Sequence, residues 1–239
     1  MYRFFTIVVI SLGSLLLTSF SLDAVDTLGG TQRTLLASLF SSQPPSCPTD
    51  MVPVVSEAGT NCLDRYEVSV GDGCPVSDPA TVTDTSTNLA TPGCIPQSQA
   101  AAVPWRNVTY VQAVALCARA GKFLPSAGLW YHGAVGTPDS LATCTLWGQL
   151  AKTGAAADCR SGVGAFDMIG NVWEIVDSRA ATDQIFPAPG YVTAIDPFGL
   201  PAKTASSSEV AYGDDYFWYP RNEAVAAVSL LVLRGGFYN

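Results

Sequence analysis

The sequence predicts an α+β domain with more loop than regular structure, carried on an exported chain. Three observations point that way. Short runs of β-branched and apolar residues bounded by Pro, Gly and Asn read as strands at residues 51–55 and 63–70, and an apolar run at 224–233 reads as a buried strand. Two capped stretches with helical signals lie between them, at 109–120 and 126–136. Seven cysteines bracket segments rich in Gly, Pro, Ser and Thr. With 239 residues, 48% hydrophobic and 13% charged, the chain can build one sizeable core. Its net charge of −8 and lack of any basic run exclude a phosphate-tracking partner, so no nucleic acid is expected.

Residues 1–24 read as a signal peptide or an N-terminal anchor. Arg3 precedes a largely apolar run over residues 4–20, marginal as a membrane span, and no clean small-x-small cleavage site follows. Any membrane contact is expected through this segment alone, because the run 224–233 is too short to cross a bilayer. The expected location is secreted, periplasmic or cell-surface. Residues 25–46, small and polar with Pro44 and Pro45 at the end, read as a linker, and the domain proper is expected over 47–239. An oxidising compartment favours disulfides. Local bracketing suggests Cys47 with Cys62, Cys74 with Cys94 and Cys144 with Cys159, leaving Cys117 free, although six cysteines allow fifteen connectivities.

In chain order, the second strand should turn Leu63, Arg65, Glu67 and Ser69 one way, with Arg65 and Glu67 as a surface pair of little energetic weight. Residues 71–104, with five Pro and three Gly, read as one long loop tied by cysteines. Thr109 caps a helix with Val111, Val114, Ala115 and Ala118 as its apolar stripe and Gly121 ending it. Ser126 caps a second helix containing Leu129, Trp130 and Ala134, ended by Gly136. His132, the single histidine, has no nucleophile or second ligand suggested beside it and reads as packed or solvent-facing. Residues 178–223 hold too many Pro and Gly for long elements. Within them residues 212–219 gather five aromatics with Asp214 and Asp215, as a ligand platform or a satellite core.

The stretch 162–174, Gly-Val-Gly-Ala-Phe-Asp-Met-Ile-Gly-Asn-Val-Trp-Glu, organises the rest. Its apolar residues follow neither period 2 nor 3.6, which suits a tight loop packed on a core. Asp167 and Glu174, across a Gly-hinged turn, can cage a hard cation together with main-chain carbonyls. The same residues admit a plainer arrangement, in which Asp167 caps a turn and Glu174 pairs with Arg234.

The run GAFDMIGNVWEI, followed by LRGG at 233–236, resembles the signature of the formylglycine-generating-enzyme-like, or sulfatase-modifying factor, domain family. Two more pieces follow the family's order: Cys62-Leu63-Asp64-Arg65-Tyr66-Glu67-Val68 resembles its opening strand, and VTYVQAVALCARAGKFLP at 108–125 resembles its helix and turn. The likeness spans residues 47–236. It implies a C-type-lectin-like fold: a twisted, largely antiparallel sheet, two helices and a loop-rich remainder. It implies structural Ca²⁺ on the side chains of Asp167 and Glu174 and the carbonyls of Gly170 and Val172. The family's enzymes oxidise a protein cysteine with a copper-binding cysteine pair beyond the R-G-G element, where this chain reads Phe237-Tyr238-Asn239, so no catalytic residue is assigned and the domain is expected to be incomplete at its C-terminus. LPSAGLWYHGA at 124–134 also lacks the acidic residues the family carries there. The expectation is therefore a binding or structural module for a protein or small-molecule ligand, a variant being the variable binder of a diversity-generating retroelement. The alternative is a sulfatase-modifying oxidase, with copper, whose catalytic end is missing.

Overall fold

Alternation in Met-Val-Pro-Val-Val-Ser builds the first hairpin. Val52 and Val54 turn inward and are fully buried, while Pro53 and Val55 face solvent along β1 (Met51–Ser56). β2 (Gly59–Asp64) returns antiparallel with Ser56 opposite Gly59. The computed structural model describes residues 46–56, 59–138, 141–144, 148–180, 187–207, 215–219 and 230–236. These fall in one unit, Pro45–Asn239. The expected export segment and all but the last residue of the expected linker lie outside the described residues, as do residues 237–239.

The second expected strand is broken. β2 stops at Asp64, the Arg65 N–H reaches back to the Asp50 carbonyl, and the Tyr66 N–H bonds Ser98 Oγ before β3 (Val68–Ser69) begins. The break overturns the surface pair: Arg65 donates to the Met51 carbonyl, and Glu67 is 8% exposed.

The long loop expected over 71–104 holds a helix, α1 (Val82–Ala90). Thr81 caps it in a reciprocal box: Thr81 Oγ1 accepts from the Asp84 N–H, and the Asp84 carboxylate accepts from the Thr81 N–H. Buried Asn88 mimics a backbone partner by exchanging two 2.9 Å bonds with Val76. Arg119 satisfies carbonyls of the last turn, donating to Leu89 and, at 2.7 Å, to Thr91. β4 (Gln97–Ser98) then pairs with β3.

α2 (Tyr110–Arg119) is capped by Thr109 as expected, but its buried face is Gln112, Ala113 and Leu116. Val111, Val114 and Ala118 are exposed. The helix is turned by α1, because the Gln112 amide closes the capping box and also donates to the Val82 carbonyl and Ser86 Oγ. α3 (Ala127–Ala134) starts at Ser126, which accepts from the Leu129 N–H, and buries Trp130 against β1. A short helix, α4 (Leu141–Cys144), follows.

The second half is strand and loop. β5 (Glu174–Ala180) pairs antiparallel with β9 (Leu230–Arg234). β6 (Gly190–Ile195) lies between β7 (Pro201–Ala205) and β8 (Tyr216–Phe217). The architecture is thus mixed α+β with four small antiparallel sheets rather than one continuous sheet among the described residues. The main core joins Val52, Val54 and Trp130 to Met168, Ile169, Val176, Val192, Phe217 and Val232. Each such aliphatic or Phe side chain stabilises by about 1.5–3 kcal/mol. A smaller cluster under α1 joins Trp105 and Leu116 to the Cys74–Cys94 disulfide.

Candidate functional site

The loop at 161–173 is held in a conformation that extended or helical backbone cannot supply. Gly164, Asp167, Gly170 and Asn171 all have positive φ, and Asp and Asn are the non-glycine residues that best tolerate it. Its N–H groups are tied to four other parts of the chain, the first through Gly162, which donates to the Val135 carbonyl. Phe166 donates to the Arg65 carbonyl, Asp167 to Cys159 and Gly170 to Gly235. The last contact needs glycine at 235, where φ is 85° and a Cβ would stand 2.9 Å from the Met168 carbonyl. The Phe166 ring stacks on Tyr66 at 5.0 Å, while Met168 and Ile169 enter the core.

This conformation gathers three carboxylates. Asp167 Oδ2 accepts from the Gly154 N–H at 2.5 Å, and Glu174 Oε2 from Trp130 Nε1–H at 2.5 Å. Glu67 accepts from Asn171 Nδ2 at 2.6 Å and from the Val172 N–H at 3.2 Å. Burial raises the Asp167 pKa from 3.8 to about 6. Burial also pushes Glu67 well above its ordinary 4.5, and the charges of Asp167 and Glu174 push it further. Glu174 is half-buried as a residue, but its carboxylate is enclosed, and burial raises its pKa well above 4.5 with Asp215 and Asp167 adding to the rise.

The plainer arrangement holds for neither half as stated. Asp167 accepts one N–H, but from Gly154, thirteen residues away, rather than from its own turn. Glu174 stands opposite Arg234 in the β5–β9 register, yet the fully buried guanidinium pairs with Asp215 and donates to the Gly199 carbonyl at 2.9 Å. It lies 4.5 Å over the Trp130 ring, and Trp130 in turn donates to Glu174.

Asp167, Gly170 and Val172 of the expected calcium set lie on this loop and Glu174 opens β5 directly after it, with Glu67 reaching Asn171 and Val172 from the first half of the chain. Strand alternation turns Glu67 to the surface, and its contact with Asn171, 104 residues away, leaves no local signal. Among the described residues no group of three His, Cys, Asp or Glu side chains is placed to hold an ion. The expected set asks for two side chains and two carbonyls. Its charge suits a hard cation: no Lys or Arg hydrogen-bonds Glu67, Asp167 or Glu174 among the described residues, and Asp167 Oδ1 and Glu174 Oε1 stand outside the bonds above.

Beside the loop lies an aromatic ledge. Alternation along 216–219 splits the aromatic segment, so that Phe217 and Tyr219 enter the core while Tyr216 is half-buried and Trp218 is 38% exposed. Trp173 meets Tyr216 at 5.8 Å and Trp218 at 6.0 Å, and Tyr191 meets Tyr216 edge-on at 5.2 Å. The buried face of this segment thus belongs to the main core rather than to a satellite one. Asp215 belongs to the core face; Tyr212 and Asp214 lie outside the described residues.

Three disulfides are present, Cys47–Cys62, Cys74–Cys94 and Cys144–Cys159, and Cys117 is free. Burial pushes the Cys117 thiol up to about 11, and Asp64 adds to the rise, so it is held protonated and is a poor nucleophile or metal ligand. His132 packs against the Tyr131 ring. No described helix is long and apolar enough to cross a membrane. Compared with protein-family models, curated proteins and solved structures, the chain matches none.

Proposed function

We propose that residues 47–239 form an exported ligand-binding module on a sulfatase-modifying-factor-like, C-type-lectin-like scaffold, steadied by calcium in the signature loop. The observation that carries this reading is the ledge of Trp173, Tyr191, Tyr216 and Trp218. Core packing does not require Trp218 to stay exposed, and a tryptophan offered to solvent among other aromatic rings is the side chain best suited to anchor an incoming apolar face. The order of hairpin, the two capped helices α2 and α3, left-handed loop and closing Arg-Gly-Gly supports the scaffold, with α1 as an addition to it. Three disulfides are compatible with an oxidising compartment and support export.

Calcium would be held by the Asp167 and Glu174 carboxylates with the Gly170 and Val172 carbonyls, and would fix the loop from which Trp173 projects. The ion supplies positive charge where burial and mutual repulsion otherwise force protons onto the carboxylates. The oxidase alternative gains nothing from Cys117, whose protonated thiol is the wrong state for copper or for nucleophilic attack. The direct test is to probe glycan and peptide arrays with the full chain. Binding that disappears in Trp218→Ala while melting is unchanged is the expected result; binding indifferent to Trp218 refutes the ledge.

A further inference from the structure

A cavity lies between the outward edges of β2 and β5. In the first hairpin Ser56 pairs with Gly59, and the Arg65 N–H bonds the Asp50 carbonyl. With antiparallel alternation, the hydrogen-bonded pairs are then 56 with 59, 54 with 61, 52 with 63 and 50 with 65. Cys62 and Asp64 therefore turn their N–H and C=O groups away from β1. On β1 the matching outward positions are blunted: Pro53 has no N–H, and the Met51 N–H is taken by the Pro48 carbonyl.

β5 presents a second open edge. The N–H and C=O of Leu233 are exchanged with Trp218 on the far side of β9, so its register partner Ile175 turns its own groups away from β9. Two residues on, the Asp177 N–H on that same edge is closed off by the Pro125 carbonyl. Cys62 and Asp64 of β2 and Ile175 of β5 line one cavity of about 520 Å³. Leu116 of α2 and Trp130 of α3 belong to its walls. Its volume falls within the roughly 300–1,000 Å³ of ligand sites, but open strand edges ask for backbone donors and acceptors rather than a compact ligand.

The wall also holds a buried acid that no described Lys or Arg hydrogen-bonds. Its one lysine, Lys122, is already shared by Asp50 and Asp64 at 2.8 and 2.5 Å, whereas Glu67 hydrogen-bonds only to neutral amides. We propose that this cavity is a strand-acceptor slot that takes one extended segment of a partner polypeptide, apolar along its length and carrying an arginine or lysine opposite Glu67. The segment bonds to the β2 edge at Cys62 and Asp64 and to the β5 edge at Ile175. The cavity shares Trp173 with the aromatic ledge and Val172 and Glu174 with the expected calcium set, but Tyr191, Tyr216 and Trp218 do not line it.

The test uses the full chain and a blocked heptapeptide of valines and threonines with a central arginine, beside a version with a central glutamate. Amide exchange is read by NMR before and after peptide addition. The expected result is open, fast-exchanging amides at Cys62, Asp64 and Ile175 in the monomer, at least tenfold slowing with the arginine peptide, and at least tenfold weaker binding of the glutamate peptide. Glu67→Gln should erase that preference without erasing binding; if the variant does not fold, the wild-type comparison of the two peptides decides. Amides that are already protected in the peptide-free monomer mean that the chain fills its own slot, and protection that grows with protein concentration means that a second copy does. Either result overturns the proposal, as does equal binding of the two peptides or exchange that neither peptide slows.

Discussion

Asp167 combines a strained backbone with a buried charge. It sits at positive φ, 4% exposed, with one N–H donor, and its pKa is pushed up to about 6 by burial. Below its ordinary 3.8 the group is protonated whether the chain is folded or not. As pH rises, the unfolded chain ionises first, so the stability this group contributes is lost through about pH 6, to an extent of about 3 kcal/mol. In chelator, the melting temperature of the wild-type chain should fall across pH 4–6.5, and Asp167→Asn should flatten part of that fall. Glu67 and Glu174 keep the remainder, because their shifts run in the same direction. Calcium at about a hundredfold over its Kd should add roughly 2.7 kcal/mol at neutral pH, and a melting curve indifferent to both calcium and chelator counts against the ion. Arg234 sets the opposite problem. Asp215→Ala leaves a fully buried guanidinium without its carboxylate and should cost about 3–5 kcal/mol in denaturant unfolding. A loss below about 1 kcal/mol would show that the Trp130 ring and the Gly199 carbonyl suffice.

At the scale of elements, capping chemistry was more legible than facing. Thr109 and Ser126 mark the starts of α2 and α3 because their hydroxyls have a local job, accepting an N–H three residues on. The buried face of α2 was not legible from its own residues. Val111 and Val114 are the more apolar side chains, but Gln112 finds three partners, two of them on a helix that the composition of 71–104 concealed. α1 is threonine-rich and low in helix propensity, so tertiary contacts rather than intrinsic preference hold it. Its one local signal is Thr81 followed three residues later by Asp84. Thr81→Ala should therefore cost about 1 kcal/mol, read as a lower urea midpoint with unchanged m-value. A neutral result would mean that the Cys74–Cys94 disulfide and Asn88 alone fix the segment. The two-way reading of 212–219 resolved by strand alternation, a property of the element rather than of any one aromatic.

Over the whole molecule, the sequence conveyed local pairings better than distant ones. The three disulfides span 15, 20 and 15 residues, short enough for spacing to suggest them, and on the chain-entropy account each such loop stabilises by about 3 kcal/mol. Glu67 meets Asn171 across 104 residues, and no periodicity encodes such a contact. The Arg234–Asp215 pair spans only 19 residues but depends on how β8 and β9 are brought together. The signature loop supplied the candidate residues, yet the ledge needed two strands, the residue after β8 and a loop to assemble. The measurement that tests the central claim most directly is calorimetric titration of the full chain, in calcium, with the strongest ligand from the arrays, on wild type and Trp218→Ala in parallel. The account predicts saturable binding by wild type and a Kd at least about tenfold weaker in the variant, a loss of about 1.4 kcal/mol or more, with both proteins melting at the same temperature. Equal Kd values for the two proteins would contradict it.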